Sequence, residues 1–142
     1  MTNDYRLDKL AAGDPDALEW MSAAALRVLA SGGKIGIEQA AGLASTPAGR
    51  RRALRDFQLA KAATLVGGTP LELHRAVEYF RRACWPTWRD WQLPPESATQ
   101  AEIALHRAFR AGSVPRSPQG LGKILRAFGF RNQTGRASFP MS

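Results

Sequence analysis

Four positions in the chain carry the same helix-start signal: a side chain that can cap a helix, followed directly by proline. The capping oxygen accepts from an unpaired N–H of the first turn, and proline suits the first helical position because its missing N–H has no intrahelical partner there. A chain whose helix starts are marked in this way is predicted to be mostly helical. The four signals are Asp14-Pro15, Thr46-Pro47, Thr69-Pro70 and Ser117-Pro118.

Glycine and proline mark where the helices end. The end signals are Gly32-Gly33, Gly67-Gly68, Pro86, Gly112 and Gly129, and Thr99 with Glu102 forms a capping box. Residues 1–13 and 38–43 are compatible with further short helices. Together the signals predict five main helices, at 15–31, 47–66, 70–84, 100–111 and 118–128.

Each predicted helix carries one apolar stripe, which favours a helical bundle. The stripe of the 70–84 helix, for example, runs through Leu73, Val77 and Phe80. The proline-rich segment 93–96 is typical of a stiff connector. We therefore predict an N-terminal helical bundle over 1–92 and a small C-terminal winged-helix-like lobe over 99–142, with one compact domain as the alternative.

Residues 117–139 combine a short helix with a predicted β-hairpin that turns at 133–135. The helix has an apolar stripe on one face and polar, basic side chains on the other. A basic helix followed by a basic hairpin is typical of a winged helix, which places the helix in the major groove of DNA and the wing on the backbone. The predicted contacts are Ser117, Gln119, Lys123 and Arg126 from the helix, and Arg131 and Arg136 from the wing.

The segment SPQGLGKILRAFGF followed by RNQTGRASF resembles the C-terminal winged-helix segments of phage and plasmid replication primases and related mobile-element proteins. The shared features are a polar turn, a Leu-Gly-x-x-Leu-Arg helix ending in Gly-Phe, and a basic wing, within residues 99–139. The resemblance implies a nucleic-acid-binding module without catalytic residues. Neither the acidic metal-binding motifs of a primase nor the phosphate loop of a helicase occurs in the chain, so the resemblance implies an accessory factor or a detached domain.

Positive charge is concentrated in the later part of the chain. Twenty Lys and Arg against twelve Asp and Glu give a net charge of +8. The net charge is −2 over residues 1–44, +5 over 45–92 and +5 over 93–142. This distribution is typical of a nucleic-acid-binding protein, and it also suits an acidic protein partner.

A second basic cluster lies in the first turns of the 47–66 helix. Its arginines oppose the helix dipole, whose N-terminal end is already positive, and this indicates an external anion such as a nucleic-acid phosphate. Simple exposure to solvent is the alternative. The cluster comprises Arg50, Arg51, Arg52 and Arg55, and Arg75, Arg81, Arg82 and Arg89 extend it along the chain.

Three tryptophans, Trp85, Trp88 and Trp91, follow one another at a spacing of three. Large aromatic side chains fill cores, anchor protein interfaces and stack on single-stranded bases, and the sequence leaves these three roles open.

No catalytic or metal-binding constellation is recognisable in the sequence. His74 and His106 have no partner at informative spacing, Cys84 is the single cysteine, and no phosphate-binding loop is present. We therefore predict a protein that is not an enzyme and needs no cofactor or metal. The polar N-terminus and the absence of a long apolar run predict a cytoplasmic protein without membrane contact.

The favoured function is that of a plasmid or phage replication or regulatory accessory factor that binds duplex DNA. One alternative is a basic helical subunit of a nucleoprotein complex, like the small subunits of CRISPR effector complexes, which holds the nucleic-acid backbone without reading sequence. The other is a phage-type inhibitor or adaptor that docks on an acidic protein surface. A homodimer through the Leu-rich 15–31 helix is a further possibility.

Overall fold

The computed structural model describes residues 2–130, and all regular secondary structure within that range is helical. This confirms the mostly helical prediction. No strand occurs in residues 2–130, and residues 131–139 of the predicted hairpin, with Arg131 and Arg136, lie outside the described range. In chain order the helices are α1 (Arg6–Ala11), α2 (Pro15–Ala30), α3 (Ile37–Ala41), α4 (Pro47–Val66), α5 (Pro70–Ala83), α6 (Trp85–Trp88), α7 (Gln100–Ala111) and α8 (Pro118–Ala127).

Side-chain caps start the helices where the sequence predicts. Asp14, Thr69 and Ser117 each accept a hydrogen bond from the backbone N–H three residues on, at 3.1 Å. Thr46 does the same for the N–H of Gly49 at 3.0 Å. The reciprocal bonds of the capping box at Thr99 are both present at the start of α7. Each cap supplies a partner to a donor that the first helical turn leaves unpaired.

The chain forms two compact units, Met1–Leu54 and Arg55–Ser142. These bounds differ from the predicted lobes, 1–92 and 99–142. The difference arises because helices on both sides of the 93–96 segment contribute to one core. Leu73 and Phe80 of α5 belong to the same buried cluster as Leu105 of α7 and Leu121 of α8.

The first unit is built around α2 and α3, and its core consists largely of small residues. Side chains also hold the end of α3, where the last carbonyls of a helix have no intrahelical partner. The carbonyl of Ala41 accepts from Trp20 Nε1 at 3.1 Å and from Asn3 Nδ2 at 2.9 Å. The carbonyl of Ala40 accepts from Arg27 Nη2 at 2.6 Å. The short α3 is therefore fixed by α2 and by the N-terminal segment.

Candidate nucleic-acid interface

The outer face of α8 presents a polar, basic stripe to solvent. Gln119, Lys123 and Arg126 are exposed, and within residues 2–130 none of their side chains makes a hydrogen bond or an ion pair. The opposite face carries Leu121 and Leu125, which are 0% and 1% exposed. Because the apolar face is held in the core, the direction of the basic stripe is fixed. Ser117, the remaining predicted contact of the helix, is the N-cap of α8, and its hydroxyl accepts a hydrogen bond from the N–H of Gly120.

Two glycines let neighbouring segments approach α8 closely. A Cβ at Gly122 would lie 3.6 Å from Cγ of Pro70, the first residue of α5. A Cβ at Gly120 would lie 2.9 Å from Cβ of Pro115, in the turn that precedes α8. Both glycines are therefore explained by packing within the second unit, without a phosphate.

We expect alanine substitutions at the two glycines to change the stability of the protein in opposite directions. Gly122→Ala should raise the free energy of unfolding by about 0.5–1 kcal/mol, because its Cβ finds ordinary contact distances and alanine favours a helix. Gly120→Ala should lower it by about 1 kcal/mol or more, since overpacking against a proline ring outweighs the helix-propensity gain. Urea denaturation of both variants beside the wild type measures the two effects. A change of the same sign at both positions would contradict this packing.

The turn before α8 is braced by two arginines from other helices. Arg55 of α4 donates through Nη1 to the carbonyl of Ser113 at 2.8 Å, and Arg81 of α5 donates through Nη2 to the carbonyl of Val114 at 3.3 Å. Arg55 also pairs with Asp56 at 2.7 Å. The sequence predicts both arginines as nucleic-acid contacts, but the structure directs their guanidinium groups at protein oxygens.

The other arginines of α4 lie in the first unit. Arg50 donates to the carbonyl of Ala44 at 3.3 Å and is partly buried. Arg51 and Arg52 are exposed. The cluster predicted from the sequence is thus divided. Arg51 and Arg52 face solvent, whereas Arg50 and Arg55 donate hydrogen bonds to backbone carbonyls.

The outer face of α5 carries an exposed stripe of mixed character. Arg75 and Arg82 are exposed, and Leu71 and Tyr79 on the same face are 50% and 56% exposed. The four residues recur every three or four positions, opposite the buried Leu73, Val77 and Phe80. The helical period of the sequence also places Leu71 and Tyr79 on the solvent face, but neither is among the basic residues predicted to bind nucleic acid.

The tryptophan stretch is mainly part of the core. Trp85 and Trp88, at the two ends of α6, are half-buried, and their ring centroids lie 6.3 and 5.7 Å from that of Phe80. The fully buried His106 donates from Nε2 to the carbonyl of Trp88 at 3.0 Å, since a carbonyl can only accept. Trp91 differs, because 44% of it is exposed. Of the three tryptophans, Trp91 is therefore the most available to a partner; Arg89, in the same stretch, is also exposed.

The single cysteine is placed for packing rather than for reactivity. Burial raises the pKa of the Cys84 thiol, and the carboxylate of Glu102, 3.9 Å from the sulfur, raises it further. A raised pKa lowers the fraction of thiolate, which is the nucleophilic form. Among residues 2–130, no group of three or more His, Cys, Asp or Glu side chains is arranged to hold a metal ion.

No helix in the described range combines the length and apolar composition that crossing a bilayer requires. Comparisons with protein-family models, with curated proteins and with solved structures found no match. The resemblance of residues 99–139 to winged-helix segments of replication primases stays a prediction.

Proposed function

We propose that the protein binds nucleic acid without catalysing a reaction, through the outer face of α8, and that duplex DNA is the preferred ligand. The observation that carries the proposal is the exposed stripe of Gln119, Lys123 and Arg126, which has no partner within residues 2–130 and stands on a helix anchored by Leu121 and Leu125. Lysine and arginine bind phosphate and guanine, and glutamine binds adenine in the major groove.

The surroundings of α8 support a helix-turn-helix mode of docking. Helices α5, α7 and α8 contribute to one core, and the turn that leads into α8 is held by Arg55 and Arg81. Such a mode lays the last helix in the major groove while its neighbours fix its orientation on the backbone. In the winged-helix form of this proposal, Arg131 and Arg136 add backbone contacts from the wing. A role as a replication or regulatory accessory factor follows from the resemblance alone.

A fluorescence-anisotropy titration against duplex DNA, single-stranded DNA and RNA tests the proposal. We expect duplex DNA to bind best, and the double variant Lys123→Ala/Arg126→Ala to bind it at least about 10-fold more weakly at moderate salt. Each phosphate contact on duplex DNA adds about 0.9 to the slope of log affinity against log salt, so the slope should fall by up to about 2 if both residues bind phosphate. Circular dichroism checks that the variant stays folded.

Two matched controls remove the same charge from other surfaces. The pairs Arg75→Ala/Arg82→Ala on α5 and Arg51→Ala/Arg52→Ala on α4 replace arginines that are exposed like Lys123 and Arg126 of α8. A distinctly larger loss for the α8 pair supports the proposal. Equal losses for all three pairs, with no preference among the nucleic acids, would favour the basic subunit that binds backbone without reading sequence.

An adaptor that docks on an acidic protein surface is the second candidate. The stripe of Leu71, Arg75, Tyr79 and Arg82 favours it, because tyrosine and arginine dominate the energetics of protein interfaces. If the protein binds none of the three nucleic acids at low salt, the first proposal is overturned and this second candidate is favoured.

A further inference from the structure

Helix α2 exposes an apolar stripe on the side that faces away from α3. Leu18, Leu26 and Leu29 are 51%, 67% and 75% exposed, whereas Ala24 on the inner face is fully buried. Ser22 and Ala25 lie between the leucines and are exposed too. Three large apolar side chains on one face of a 16-residue helix form a surface that a partner would cover.

The spacing of this stripe is the same in both directions along the helix. From Leu18 to Ser22 is four residues, from Ser22 to Ala25 three, and from Ala25 to Leu29 four. In this four-residue set large residues stand at the two ends and small ones in the centre, and Leu26 lies outside the set, at the edge of the stripe. A two-fold axis requires a surface to be complementary to itself, and a stripe of this symmetry fulfils that requirement when two copies run antiparallel.

We infer that α2 pairs with α2 of a second copy of the chain, in an antiparallel dimer with two-fold symmetry. Leu18 then packs against Leu29 of the partner subunit, and Ser22 packs against Ala25 of the partner subunit. The small central residues Ser22 and Ala25 allow the two helices to approach closely, Leu18 and Leu29 close the contact at both ends, and Leu26 flanks it at the edge.

The charges at the ends of α2 favour the antiparallel orientation. Asp14, Asp16 and Glu19 lie at its N-terminal end, whereas Lys34 lies just beyond its C-terminal end; Arg27, in the last turn, is bound to the carbonyl of Ala40. An antiparallel pair places the acidic end of one helix beside the basic end of the other, and it also opposes the two helix dipoles. A parallel pair would bring six acidic side chains together at one end.

Sedimentation equilibrium of the full chain tests the inference. The wild type should show a concentration-dependent monomer–dimer equilibrium. Leu18→Glu and Leu29→Lys, made separately, should each weaken the dimer at least about 10-fold, because each homodimer would bury two unpaired charges against leucine. An equimolar mixture of the two variants should restore the dimer, since the introduced carboxylate of one chain faces the introduced ammonium of the other. The remaining leucines of the mixed pair then face each other.

The complementation distinguishes the antiparallel arrangement from every other. In a parallel dimer the two introduced charges would stand at opposite ends and the mixture would stay monomeric, which overturns the inference. A wild type that remains monomeric at all concentrations, or variants that dimerise as well as the wild type, overturns it too. Leu93→Lys is the matched control: Leu93 is 75% exposed, like Leu29, but lies outside α2, and its replacement should leave the dimer unchanged.

Discussion

Replacing Phe80 by alanine is expected to lower the free energy of unfolding of the second unit by about 3–5 kcal/mol, the range of buried phenylalanine truncations. Phe80 is 1% exposed and occupies the centre of an aromatic cluster. Its ring centroid lies 5.0 Å from that of Phe109, 5.7 Å from that of Trp88 and 6.3 Å from that of Trp85. The truncation therefore leaves a cavity bordered by rigid rings, which cannot collapse to fill it.

Urea denaturation followed by circular dichroism measures this loss, with Tyr79→Ala as the control. Tyr79 is the preceding residue of α5, is also aromatic, and is 56% exposed. Its replacement should change stability by no more than about 0.5 kcal/mol, as is usual for surface positions. Similar losses for the two variants would mean that the aromatic cluster is not the core of this unit.

The five main helices could be predicted to within one residue at each end because their signals are local. A capping oxygen acts over three residues, and a glycine or proline ends a helix where it stands. The same signals did not predict the short helix α6. Pro86 reads as the end of α5, yet proline is also accepted in the first turn of a helix, and α6 begins at Trp85.

The division into units could not be predicted because it depends on contacts between residues distant in sequence. The prolines of segment 93–96 indicate a stiff stretch of chain, but they carry no information about which helices share a core. The sequence around Gly122 does not reveal that α5 packs closely against α8 at this point. The contact is visible only in the structure, where a Cβ at Gly122 would lie next to Pro70.

The exposed stripe of α8 was predictable for the same reason as its buried stripe, since one helical period fixes both faces. The roles of the individual arginines could not be predicted in this way. Arg52 and Arg55 both stand close to Asp56 in sequence. In the structure Arg55 pairs with Asp56 and also reaches the carbonyl of Ser113, far along the chain, whereas Arg52 is exposed. A basic cluster in a sequence therefore overstates the number of side chains left for a ligand.

The neighbouring arginines of α5 put this distinction to a direct test. Arg81 lies with its guanidinium carbon 5.1 Å from the ring centroid of Phe109, pairs with Glu78 at 3.3 Å and donates to the carbonyl of Val114. Arg82 is exposed. Arg81→Ala should lower the free energy of unfolding by about 2 kcal/mol, because a charged hydrogen bond is worth about 1.5–3 kcal/mol and a cation–π contact about 0.5–2 kcal/mol, less what solvent screening removes.

Arg82→Ala removes the same side chain one position further on and should leave stability within about 0.5 kcal/mol of the wild type. Arg81→Lys separates charge from shape: lysine keeps the positive charge but lacks the planar fork that reaches the carbonyl while lying on the ring, so it should recover only part of the loss. Urea denaturation of the three variants decides the matter. If Arg82→Ala costs as much as Arg81→Ala, the contacts of Arg81 do not account for the loss, and the bracing of the turn before α8 is not supported.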